Sequence, residues 1–206
     1  MAHTQMALDS LDFDATIALA EQVAPHVDIL EIGTPCIKHN GIKLLETLRA
    51  KFPNNLILVD LKTMDAGEYE SEPFYKAGGD ICTVLGASGI ATIKGVIAAA
   101  KKYGKEVQVD MINVDDKVSL AKECVAAGAQ IIGVHTGLDA QAAGDTPFAD
   151  LATIKEAIGD SAKISVAGGV KANTAQQVKD AGASIIVAGA AIYGAADPAA
   201  AAAEIT

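Results

Sequence analysis

The sequence predicts a closed parallel (β/α)8 barrel of the TIM type, a single α/β domain over residues 1–206. Eight short apolar runs recur along the chain, each followed by a stretch with Leu, Ile, Val and Ala at helical spacing. Three corners, YKAGGDICTVLG, VAAGAQIIGVHTG and KDAGASIIVAGA, are near copies whose Ala77, Ala127 and Ala181 lie 50 and 54 residues apart, about two βα units each. No long linker or composition break interrupts the series. An open doubly wound sheet is the alternative, but open sheets of this length carry fewer strands and a longer insertion at the switch point.

The elements follow in order. QMALD is the first strand and ends at Asp9, and FDATIALAEQVAPHV has the spacing of a helix packed on a sheet. DILEIG carries Glu31, and GIKLLETLRAKF again reads as helix. LILVDLK, the third strand, ends in Asp60 and Lys62, with Asp65 in the loop beyond. DICTVLG is the fourth, EVQVDMI brings Asp110, and QIIGVH ends at His135. KISVAGG leads into Gly168 and Gly169, and SIIVAGA into Gly189 and Ala190. In the three near-copy corners a glycine just past the helix end is expected in the left-handed conformation that terminates it. AAAAEIT leaves the last helix short, with an end expected to fray.

Composition narrows the function. A formal charge of −10 with 16 Lys+Arg argues against nucleic-acid binding, which needs a basic face. MAHTQMALDSLD lacks the pattern of a signal peptide and no apolar run reaches membrane-spanning length, so a cytoplasmic protein is expected. Cys36, Cys82 and Cys124 are odd in number without CxxC spacing, which predicts reduced thiols.

In such a barrel the chemistry sits at the carboxyl ends of the strands. Asp9, Glu31, Asp60 with Lys62, Asp110 and His135 all lie there, so five strands deliver ionisable groups to one rim. Each has a bland explanation alone: Asp9 as a helix cap, His135 as a structurally satisfied side chain, Lys62 as a salt bridge to its acidic neighbours. Their coincidence argues for function, because burying unpaired charge is expensive. Asp28 and Asp80 begin their strands and belong at the opposite, structural rim. Asp60 and Lys62, two apart on a strand, should point into the mouth together. Glu31 and Asp60 offer carboxylate oxygens for a hard cation, Mg²⁺ or Mn²⁺. Lys62 between carboxylates should stay protonated and suit an oxyanion better than a Schiff base. Gly168, Gly169, Gly189 and Ala190 follow strands seven and eight, where barrels bind phosphate through backbone N–H groups; tight turn geometry is the plain alternative. A phosphorylated small substrate is implied.

ALD, EIGTP, DLKTMDAG, VHTGLDAQAAG and VAGGV, in order at five strand ends, resemble the orotidine 5′-monophosphate decarboxylase superfamily, marked by Asp-x-Lys-x-x-Asp at Asp60, Lys62 and Asp65. Within it the chain is most similar to the 3-hexulose-6-phosphate synthases and next to the 3-keto-L-gulonate-6-phosphate decarboxylases. The decarboxylases usually carry Glu where Asp110 stands and Arg where Leu138 stands; the shorter acid, the missing Arg, DLKTMDAGE and AIYGAADP favour the synthases. Glu31 fits poorly with the metal-free orotidine enzymes. The resemblance implies a Mg²⁺-dependent aldol condensation of formaldehyde with D-ribulose 5-phosphate through a 1,2-enediolate, with His135 as general base and Asp110 sharing the proton traffic or holding a substrate hydroxyl. It also implies a homodimer with interfacial sites, Asp65 reaching the neighbour's Lys62, and Asp9 near the substrate.

Overall fold

The computed structural model describes residues 2–205. Eight parallel strands close in sequence order: β1 (His3–Leu8), β2 (Ile29–Ile32), β3 (Leu56–Thr63), β4 (Ile81–Leu85), β5 (Glu106–Asp110), β6 (Ile131–His135), β7 (Lys163–Ala167) and β8 (Ile185–Ala188), with β8 pairing back onto β1. The predicted barrel and all eight strands are borne out. Helices α1 (Phe13–Val23), α2 (Thr34–Lys51), α3 (Gly67–Lys76), α4 (Ile90–Tyr103), α5 (Lys117–Ala127), α6 (Leu138–Ala142), α7 (Phe148–Ile158), α8 (Ala172–Asp180), α9 (Ala190–Tyr193) and α10 (Pro198–Ile205) fill the crossovers. Helix α2 starts before the GIKLLETLRAKF run, because Gly41, at φ 63°, bends the chain between a short first turn and the amphipathic part. The expected fraying at AAAAEIT falls partly on Thr206, outside the described residues; Ile205 itself is buried. The copied corners end as expected, with Gly78, Gly128 and Gly182 at φ 108°, 103° and 99°. In all three the glycine N–H, of Gly78, Gly128 or Gly182, donates to a carbonyl in the last turn of the preceding helix.

Two apolar bodies hold the barrel. Between sheet and helices lies a continuous shell that includes Met6, Leu30, Ile57, Val107, Ile132 and Ile186. Inside the barrel a separate cluster joins Ile29, Leu58, Ile81, Ile131, Ile185 and Val187. Strand alternation and the observed register arrange the interior in layers of four from alternate strands. Ile29, Ile81, Ile131 and Ile185 form a dry floor. Gln5, Leu58, Gln108 and Ser165 lie above it, then Glu31, Thr83, Gly133 and Val187, and then Ala7, Asp60, Asp110 and Ala167. The interior therefore becomes polar toward the carboxyl ends of the strands.

The opposite rim carries the structural acids. Asp28 accepts the Thr4 N–H at 2.9 Å. Asp80 accepts the Ile57 N–H at 2.8 Å, holds Lys105 at 2.5 Å and pairs with Arg49, which also donates to the carbonyls of Gly78 and Asn55. Replacing Asp80 by Ala orphans two cations and one backbone donor at once. Urea unfolding at pH 7 should show a loss of about 3 kcal/mol, with turnover unchanged because the site lies at the far end of the strands.

Candidate active site

Four of the predicted residues form one connected group at the mouth. The Lys62 ammonium donates to Asp60 Oδ2 at 2.7 Å and to Asp110 Oδ2 at 3.1 Å, and Asp110 Oδ2 also meets His135 Nδ1 at 2.9 Å. Asp110 is further fixed by the Ile112 N–H, 2.9 Å from Oδ1. Both acids are buried, with side chains 8% and 3% exposed, while Lys62 and His135 retain 22% and 24% exposure toward the mouth.

The route to this cluster differs from the regular strand expected of LILVDLK. Val59 pairs with Cys82 but Thr63 with Val84, so four steps of β3 pass two of β4, and the ladder bulges between them. Lys62 sits in this bulge at φ 46°. The left-handed conformation costs a non-glycine residue about 1–2 kcal/mol, offset here by the ion pairs its side chain reaches. Simple alternation therefore does not explain why Asp60 and Lys62 face together; the bulge does.

The charges shape one another's protonation. Burial alone would lower the Lys62 pKa, but Asp60 and Asp110 outweigh it and keep the ammonium well above the usual lysine range. Lys62 is therefore held as a cation. For Asp110, burial pushes upward but the His135 hydrogen bond and the Lys62 charge win, leaving it a carboxylate. His135 is opposed by burial and raised by Asp110 above the ordinary imidazole value.

Glu31 stands one layer below Asp60 and is buried. Its Oε2 accepts Gln5 Nε2 at 2.7 Å, while Oε1 accepts no hydrogen bond among the described residues. Burial and the neighbouring Asp60 push its pKa up to about 8. Asp60 Oδ2 also accepts the Thr34 hydroxyl at 2.6 Å, and Oδ1 accepts the Thr83 hydroxyl at 2.7 Å. Two buried carboxylates held close despite repulsion, with oxygen as the only donor type, suit a hard divalent cation completed by water and substrate oxygens. Among the described residues no group of three His, Cys, Asp or Glu side chains is placed to hold a metal.

Asp9 is not a helix cap, the plain alternative for it: Asp12 caps α1, accepting the Ala15 N–H at 2.7 Å. The Asp9 carboxylate instead lies over Gly33, where an added Cβ would fall 1.9 Å from Oδ1, and near Gly189, where an added Cβ would fall 3.7 Å from Oδ2. Partial burial and Asp60 raise its pKa. Asp65 does not join the cluster of its own chain. It is exposed and accepts the Ala66 N–H at 2.8 Å, because the chain turns outward through left-handed Ala66 into α3.

After β7, Gly168 and Gly169 are consecutive left-handed residues, φ 117° and 70°, and a Cβ at Gly168 would lie 2.6 Å from the Thr136 carbonyl oxygen. Among the described residues the N–H groups of Gly168, Gly169, Gly189 and Ala190 donate to no protein acceptor, as an anion cradle requires. Leu138 is 77% exposed at the start of α6 and brings no cation there.

Sequence reasoning missed Gln5, Thr34 and Thr83, which hold the two carboxylates. The available signal was a polar residue at an inward position of an apolar strand, Gln5 two before Ala7 and Thr83 two after Ile81. The three cysteines are free, as expected, and all three are buried.

Residues 3–205 match the orotidine 5′-phosphate decarboxylase / HUMPS family model. The chain belongs to this family. It is 77% identical over 206 residues to 3-hexulose-6-phosphate synthase of Methylomonas aminofaciens, spanning 100% of this chain and 98% of the relative. The crystal structure of 3-hexulose-6-phosphate synthase from Salmonella typhimurium is similar at a TM-score of 0.95 and 40% identity, covering 98% and 96% of the two chains. That of 3-keto-L-gulonate-6-phosphate decarboxylase from Vibrio cholerae is similar at 0.87 and 29%, covering 99% and 95%. As a member of the orotidine 5′-phosphate decarboxylase / HUMPS family with these relatives, the chain is an enzyme of lyase type. Among the described residues no helix is long and apolar enough to cross a membrane.

Proposed function

We propose that the chain condenses formaldehyde with D-ribulose 5-phosphate to D-arabino-hex-3-ulose 6-phosphate, the reaction of the 3-hexulose-6-phosphate synthases it resembles. The observation that carries this reading is the Asp60–Lys62–Asp110–His135 chain at the mouth, beside a Leu138 that offers no cation. The greater identity to a synthase than to the decarboxylase supports the same choice.

Asp110 accepts the proton on Nδ1 of neutral His135, which leaves Nε2 unprotonated to remove a proton from C1 of the sugar. The negative charge that develops on O2, with the O1 hydroxyl beside it, falls within reach of the Lys62 ammonium, whose cost of orientation has been met in advance by Asp60 and Asp110. C1 then forms the new bond to the formaldehyde carbon, and the formaldehyde oxygen takes the proton from His135. Glu31 and Asp60 would hold Mg²⁺ or Mn²⁺, which when bound supplies Lewis-acid stabilisation of the same oxygens. The free N–H groups of Gly168, Gly169, Gly189 and Ala190 suit the substrate phosphate, and Asp9, at the rim beside Gly189, suits a sugar hydroxyl.

The test is direct. Ribulose 5-phosphate and formaldehyde should be consumed together in the presence of Mg²⁺, and chelator should abolish this reversibly. Carbon dioxide release from 3-keto-L-gulonate 6-phosphate at a higher kcat/KM would give the enzyme to the decarboxylases instead. The pH profile is a second check. Neutral His135 is required, so kcat/KM at saturating Mg²⁺ should rise with pH through a pKa above the ordinary imidazole value. Asp110→Asn removes the group that raises it, so the acid limb should move to lower pH while the maximum falls. An unmoved limb would remove His135 from the base role.

The active unit in this reading is a homodimer in which Asp65 serves the neighbour's Lys62. Asp65 faces outward between Met64 and α3, whose Tyr69 is 85% exposed and Met64 55%, apolar surface suited to a second copy. Mixing inactive Lys62→Ala and Asp65→Ala chains should therefore restore turnover, since half of the sites in each mixed dimer are intact. Mixtures as inactive as their parents would confine each site to one chain.

A further inference from the structure

Thr83 holds the two halves of the charged group together. It lies at an inward position of β4, 1% exposed, and its hydroxyl makes two hydrogen bonds. Oγ1 accepts the Lys62 backbone N–H at 2.9 Å and donates to Asp60 Oδ1 at 2.7 Å. The amide can only donate, so the single hydroxyl proton is free to point at the Asp60 carboxylate while a lone pair receives the Lys62 N–H.

The location gives these bonds their consequence. Between the Val59–Cys82 and Thr63–Val84 pairs the β3–β4 ladder is interrupted, so the Lys62 N–H has no strand carbonyl opposite it. The Thr83 side chain takes the place of that acceptor. It thereby closes a short ring: backbone of Lys62, hydroxyl of Thr83, carboxylate of Asp60, ammonium of Lys62. The left-handed turn and the direction of the ammonium are thus tied to one hydroxyl on the adjacent strand.

We propose that Thr83 is a positioning residue that holds the β3 bulge in register with the Asp60 carboxylate, so that the Lys62 ammonium meets the developing oxyanion, with its effect on turnover and little on substrate affinity. This rests on the reading of Lys62 as the oxyanion's partner. Valine keeps the branched shape and deletes both bonds, while serine keeps the hydroxyl.

The experiment compares wild type, Thr83→Val and Thr83→Ser. Residue-resolved amide exchange of the Lys62 N–H, measured without substrate or metal, should quicken about tenfold or more in the valine variant and stay within about threefold in the serine variant. In the assay with ribulose 5-phosphate and formaldehyde, kcat should fall about 30-fold for valine with KM for the sugar within about threefold, and serine should recover to within about threefold of wild type. If the valine chain does not fold, Thr83→Ala, which also deletes the hydroxyl, takes its place with the same expectations. Unchanged Lys62 exchange, a kcat within twofold of wild type, or a loss that serine does not restore would each overturn the proposal. Should the wild-type chain fail to turn over these substrates, the reaction reading falls, and the exchange measurement alone decides whether Thr83 holds the bulge.

Discussion

Lys62→Ala is expected to lower kcat by about 10²- to 10³-fold, the scale seen when a preorganised donor to an oxyanion is removed from a buried site. The reasoning starts from what the ammonium is already doing before substrate arrives. It donates to Asp60 and Asp110 at 2.7 and 3.1 Å, so its position is fixed by two buried acids and no reorganisation is required when charge appears on the sugar. Without it the two acids lose their shared cation but keep the partners that hold them, Thr34 and Thr83 on Asp60 and the Ile112 N–H and His135 on Asp110. Circular dichroism should therefore be unchanged, and KM for the sugar phosphate should move far less than kcat. A variant that retains wild-type turnover would exclude Lys62 from the chemistry.

The second large effect is at His135. Asparagine in its place keeps a polar side chain but has no nitrogen that can accept the C1 proton, so kcat should fall about 10³-fold. Exchange of the ribulose 5-phosphate C1 hydrogen with deuterated water, followed by NMR in the absence of formaldehyde, isolates the proton-transfer step. It should vanish together with condensation. Persistent exchange would move the base to another group, with Asp110 the nearest buried carboxylate.

Most of the architecture was legible in the chain because parallel strands buried on both faces leave a plain apolar mark. Each of the eight runs falls on an observed strand, and the three glycine corners fall where helices end. The charged rim was legible for a related reason: Asp60, Asp110 and His135 interrupt or close apolar runs, and solvation makes such a position costly unless something needs it. Three things were not legible. The bulge at Lys62 has no glycine to announce it, since the strain is borne by contacts from β4 and β5 that are remote in sequence. The cap of α1 falls to Asp12 and not to Asp9, which the sequence alone could equally have supplied, because the loop after β1 first carries Asp9 across Gly33. Thr34, Thr83 and Gln5 look like ordinary strand and turn residues until the closed register sets them against Asp60 and Glu31.

The isoleucine floor inside the barrel has a consequence for altering the protein. Four branched hydrocarbon side chains separate the acid, amine and imidazole groups above from the Lys163–Glu106 and Asp80 pairs below. Charge substitutions at the lower face can therefore be chosen for heat tolerance or solubility without retuning the chemistry, while a single polar intrusion into that layer would couple the two ends.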